Sequence, residues 1–106
     1  MNCTLDICGH KKIPNPTESD IWQAVFALDT SMGDEFLVLG PTDMTYSQTS
    51  GDQQVGFALE YQETDAKHHY HAKRDLTADE IVKALVAYST GADEWKTMTE
   101  WEPIKW

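Results

Sequence analysis

Apolar residues recur along this chain with two periods. Between Thr17 and Asp29, Ile21, Val25 and Leu28 fall three or four positions apart, with Trp22 and Phe26 on an adjoining stripe, which predicts an amphipathic helix. Its start is marked by Thr17-x-x-Asp20, a capping box with Asp in place of the usual Glu or Gln, and Glu18 and Asp20 complement the helix dipole. Pro14-Asn15-Pro16 leads in as extended chain, because a residue before proline avoids the helical region. The helix is expected to stop near Asp29, with Ser31-Met32-Gly33-Asp34 as the turn. A second helix begins at Thr77-x-x-Glu80, a full capping box, buries Ile81, Val82, Leu85 and Tyr88, and ends at Gly91.

The other pattern is that of strands. Glu35-Phe36-Leu37-Val38-Leu39 is a short apolar run closed by Gly40-Pro41. Met44 to Gln48 alternates, with Met44, Tyr46 and Gln48 on one face. Val55 to Tyr61 alternates more clearly, with Val55, Phe57, Leu59 and Tyr61 in register, and His69-Tyr70-His71-Ala72 makes a fourth candidate. The intervening loops are short enough for antiparallel hairpins. The first residues, 1–13, read as an arm or a fifth, edge strand around Leu5 and Ile7, and residues 92–106 as a Trp-rich tail. The expectation is one α+β domain over 1–106. It is an antiparallel four-strand meander with both helices on one face, in the order (β)-α-β-β-β-β-α.

Charge sharpens the picture. From Pro14 to Asp65 there are ten acidic residues and neither Lys nor Arg, while the rest of the chain balances eight acids with eight bases. The whole formal net charge of −10 therefore belongs to that one segment. A surface of this kind attracts basic partners and repels nucleic-acid phosphates and anionic membranes. The basic groupings, Lys11-Lys12 and Lys67 with Lys73-Arg74, are too small for a phosphate-binding footprint. No apolar run approaches the ~20 residues that span a bilayer. The first dozen residues lack the pattern of a secretory signal, so a cytoplasmic location is expected. Cys3 and Cys8 are an odd number of positions apart, on opposite faces of any strand, and are expected as unpaired thiols.

Candidate chemistry is sparse. His68-His69-x-His71 places His69 and His71 on one strand face, a spacing a metal can use, but no third ligand is signalled and no metal or cofactor is expected. Glu60 with His69 across a hairpin could form an acid–base pair. No nucleophile triad, phosphate loop or activated cysteine pattern accompanies it, so no catalytic residue is assigned. Trp95 and Trp101 are expected to cover sheet or helix edges. Trp106, near Glu100 and Glu102, is the candidate for a partner-binding tail.

One resemblance covers Pro14 to Trp101. Asn15-Pro16-Thr17, Phe36 to Gly40, Tyr46-Ser47-Gln48, Leu59-Glu60-Tyr61, His69-Tyr70, Thr77 to Tyr88 and Trp101-Glu102-Pro103 resemble the succession found in a group of small bacterial proteins. The size, acidity, α+β layout and terminal Trp-Glu are similar to those of Imm1-type immunity proteins of bacterial polymorphic toxin systems. That resemblance implies an inhibitor that neutralises a toxin, often a deaminase, by stoichiometric binding. The expected partner is a basic protein such as a toxin. The expected contact residues are Glu18, Asp20, Trp22, Asp34, Asp43, Tyr46, Asp52, Trp101 and Glu102. A second reading, from a different class, is a small-ligand or enzymatic site on the sheet face around Tyr46, Glu60, His69 and His71.

Overall fold

The computed structural model describes residues 2–28 and 35–104. Seven strands, β1 (Thr4–Ile7), β2 (Lys11–Pro14), β3 (Phe36–Gly40), β4 (Tyr46–Asp52), β5 (Gly56–Gln62), β6 (His69–Ala72) and β7 (Trp101–Pro103), form one sheet. Helix α1 (Glu18–Ala27) follows β2, and α2 (Ala78–Ser89) lies between β6 and β7. The sheet order is β2-β1-β3-β4-β5-β6-β7, with every neighbouring pair antiparallel. The fold is α+β, as expected, and its sheet is larger than the four-strand meander. The element order becomes ββαββββαβ.

Three corrections account for the difference. First, the arm is a hairpin, and β1 is an interior strand between β2 and β3 rather than an edge. Cys8 and Gly9 take positive φ (55° and 79°), and the Asp6 carboxylate accepts the Gly9 N–H at 3.0 Å, so the chain reverses within four residues. Second, the tail contributes β7, where Tyr70, His71 and Ala72 face Pro103, Glu102 and Trp101. Third, the strands start later than the alternation suggests. The Thr42 hydroxyl accepts the N–H groups of Met44 and Thr45, holding them in a turn, so β4 begins at Tyr46. Val55 lies outside β5 and is 66% exposed at the hairpin tip, so the core row starts at Phe57.

Both helices pack on one face. Leu5, Leu37, Leu39, Phe57, Leu59 and Tyr61 from the sheet meet Ile21 and Val25 of α1 and Ile81, Leu85 and Tyr88 of α2 in a single core. One row crosses five strands: Leu5 faces Leu39, Leu39 faces Ser47, Ser47 faces Tyr61, and Tyr61 faces Tyr70. Ser47 and Thr49 are polar yet buried, because their hydroxyls donate to the carbonyls of Glu60 and Ala58. Gly40 leaves room where β3 turns into β4, since a Cβ there would meet the backbone oxygen of Thr45 and come within 2.8 Å of Tyr46 Cα. Cys3 is buried and Cys8 half-buried, both free thiols, and burial pushes the Cys3 thiol up.

Trp95 is buried and Trp101 half-buried, packed edge-on to each other and to Tyr61. The Trp101 indole donates to the Lys96 carbonyl at 3.0 Å. The two tryptophans thus cap the sheet end where β7 docks. The expected turn at Ser31–Asp34 and the terminal Trp106 lie outside the described residues.

Candidate functional site

Two surfaces carry chemistry, on opposite sides of the sheet. The first is the face without helices. Strand alternation puts Tyr46, Gln62 and His69 in one row across β4, β5 and β6, and Gln48, Glu60, His71 and Glu102 in the next. Four of these side chains form a chain of hydrogen bonds. The Gln62 amide nitrogen donates to the Met44 carbonyl at 3.0 Å, which fixes the amide's orientation. Its oxygen then faces the Tyr46 hydroxyl at 3.3 Å and His69 Nδ1 at 3.0 Å. His69 Nε2 meets Glu60 Oε1 at 2.8 Å. Both ring nitrogens therefore face side-chain oxygens. His69 is only 4% exposed. Burial, and then the Glu60 charge, push the Tyr46 phenol up.

Ion pairs hold the β6–β7 side of this face. His71 Nε2 lies 3.5 Å from Glu102, and Lys73 reaches Glu100 and Glu102 at 3.5 and 3.8 Å. Beyond Tyr46, Asp6, Lys12, Thr42, Asp43 and Gln48 border an open hollow of about 430 Å³. Among the described residues no group of three or more His, Cys, Asp or Glu side chains is gathered as metal ligands.

The second surface is built by α1. Its capping box is closed in both directions: the Asp20 N–H donates to the Thr17 hydroxyl and the Thr17 N–H to the Asp20 carboxylate. Ile21, Ala24 and Val25 turn inward, which leaves Glu18, Trp22 and Phe26, four residues apart, on an outer stripe. Trp22 is 50% exposed, and its ring stacks on that of Phe26 with centroids 4.5 Å apart. Glu18 borders a groove with Val82, Val86 and Thr90, whereas Phe26 borders a cleft with Thr77, Ala78 and Asp79. The two helices are thus antiparallel, and the stripe runs along the seam between them.

The cleft at the Phe26 end measures about 500 Å³ and includes the β4–β5 hairpin tip. Asp52, Asp75 and Asp79 line it together with Phe26, Val55 and Leu76, and among the described residues neither Lys nor Arg does. Asp52 is held in place by accepting the N–H groups of Gln54 and Val55 at 2.9 and 3.0 Å. Arg74, close by in sequence, is turned away into a two-pronged bond with Glu80, at 3.2 and 2.7 Å. That fork, helped by the Thr77 N–H, holds the Glu80 carboxyl down to about 2. Lys96 is likewise committed, to Glu63 at 2.9 Å.

The expected contact residues therefore fall into three places. Glu18, Asp20 and Trp22 lie on α1, and Asp52 lies at the hairpin tip beside Phe26. Asp43 and Tyr46 border the hollow on the opposite face. Trp101 and Glu102 share β7, but Trp101 turns into the aromatic cluster and Glu102 toward His71 and Lys73. Asp34 lies outside the described residues. The sheet-face set of Tyr46, Glu60, His69 and His71 does share one face, with Gln62 as its hub. Gln62 was missed because a glutamine at a polar strand position gives no sign of burial. Asp75 and Asp79 were missed because they belong to the charge-balanced part of the chain, and only folding sets them beside Asp52.

No family model, no curated protein and no solved structure matches this chain.

Proposed function

We propose that this chain is an acidic protein-binding module acting in the cytoplasm, an immunity-type stoichiometric inhibitor of a basic toxin or nucleic-acid-modifying enzyme. The observation that carries the reading is where the bases go. Lys73, Arg74 and Lys96 pair with Glu100, Glu102, Glu80 and Glu63. Glu18 and Asp20 on α1 have no lysine or arginine within ion-pair distance among the described residues, and Asp75 and Asp79 have none either. Lys83 shares the groove at Glu18 and Lys11 the hollow at Asp20 without forming such a pair, so the carboxylates on the α1 side stay available to a partner. A protein that handles nucleic acid presents a basic site, and carboxylates in place of phosphates can occupy it. Inhibition is by occlusion, and steering by the carboxylates accelerates encounter more than it deepens affinity.

The sheet-face reading is weaker on geometry. Tyr46, Gln62, His69 and Glu60 satisfy one another, so the chain of bonds stiffens the open face rather than presenting a reactive group.

Affinity capture tests the proposal, with the tagged chain as bait in an extract of the cells that make it, washed at low and then high salt. One basic protein in equimolar amount, released by salt, is the expected result. Retention of no basic protein at low salt overturns the reading.

A further inference from the structure

We infer that the partner binds through a cationic segment carrying an apolar side chain, seated across α1 and the β4–β5 hairpin tip and not on the open sheet face. This rests on the binding-module reading and gives it a place and a chemistry. Three large apolar side chains are exposed among the described residues, Trp22, Met44 and Val55, and two of them belong to this surface. Phe26 joins them, stacking on Trp22 and sharing its cleft with Val55. The stack holds the indole against its own helix, so its ordering cost is already met before a partner arrives. Half-exposed aromatic rings of this kind are the side chains that dominate interface energies.

Charge selects the occupant. Asp75 and Asp79 line the same cleft as Asp52, and among the described residues its lining holds neither Lys nor Arg. A lysine or arginine entering there lays its methylene stem on Phe26 and Val55 and brings its charged head to the carboxylates. A second copy of this chain would press acid against acid, at a net charge of −10 on each molecule. The open sheet face is a poorer fit, because Glu60 and Glu102 already meet His69, His71 and Lys73, and Lys12 lines the hollow that Asp6 and Asp43 border.

A short amphipathic leucine–lysine peptide, titrated at low salt into the isotope-labelled whole chain, is the first probe. The expected amide and indole shifts fall at Trp22, Phe26, Gln53 to Val55 and Asp75 to Asp79. Trp22→Ala weakens the peptide about tenfold, the loss of one aromatic anchor, and the double substitution D75N/D79N flattens its salt dependence. Trp22 is half exposed, so its removal spares the core, and Gln48→Ala on the opposite face is the control that leaves binding unchanged. Shifts spread over all acidic residues, shifts centred on Tyr46 and Gln48, or undiminished binding by Trp22→Ala would each sink the inference. The captured partner separates the two claims. If it binds Trp22→Ala and wild type equally, the surface is wrong and the module reading stands. If no partner is captured, the module reading fails whatever the peptide does.

Discussion

Thr17 and Thr77 occupy equivalent positions at the two helix starts, and each closes a reciprocal capping box. The second is reinforced, since Glu80 also receives the Arg74 fork. Thr77→Ala is expected to cost about 1 kcal/mol, as for other caps of this type. The Glu80 carboxyl is held down from 4.5 to about 2, first by Arg74 and then by the Thr77 N–H. A carboxyl depressed in the folded state stabilises it above its unfolded value, and that contribution is lost as pH falls through the folded value. Stability should therefore decline between about pH 4.5 and pH 2, and Glu80→Gln should flatten this part of the profile. Urea unfolding of both proteins across that range is the measurement. Both caps were legible in the sequence because a box is a short-range pattern. The Arg74 partnership was not, since its reach from before the helix to Glu80 depends on how the chain turns at Asp75.

At the scale of elements, legibility followed the strength of the local signal. Both helices and the His69–Ala72 strand lie where periodicity placed them. Strands β2 and β7 did not announce themselves. Lys11-Lys12-Ile13-Pro14 has no alternation, and Trp101-Glu102-Pro103 is three residues long, so each exists because a neighbour supplies its hydrogen-bond partners. Strand β4 was displaced because its inward residues, Ser47 and Thr49, are hydroxyl-bearing and look like surface. The docking of β7 depends on Trp101, which contacts Tyr61 and Trp95 at centroid distances of 4.8 and 5.8 Å. Trp101→Ala should destabilise the protein by about 2 kcal/mol, below the usual cost for a fully buried tryptophan because this one is half-buried. Equilibrium unfolding reads the loss, and the amides of β6 should lose protection together with those of β7.

For the molecule as a whole, charge segregation was visible in the sequence, but its geometry was not. Ten acids without a base predicted an acidic region. Only the fold reveals that Asp75 and Asp79, from the balanced part of the chain, join Asp52 around Phe26 while Asp43 and Tyr46 sit on the far side of the sheet. A net charge of −10 on a molecule about 31 × 28 × 24 Å also repels itself. Stability should therefore rise with sodium chloride from about 10 mM to about 150 mM, as the screening length falls from about 30 to about 8 Å. The urea midpoint measured at both ends of that range tests this, and an unchanged or falling midpoint would contradict it.

The placement of the helices has a kinetic consequence. Strands β3 to β6 are joined in succession by short turns, but β1 reaches β3 only across α1, with Leu5 facing Leu39, and β6 reaches β7 only across α2, with His71 facing Glu102. Closing such long loops sacrifices chain entropy before any contact rewards it. Assembly should thus spread outward from the central hairpins, each helix being trapped as its loop closes. The rate at which the chain reaches its native state will be governed by these two distant meetings rather than by the hairpins that dominate its secondary structure.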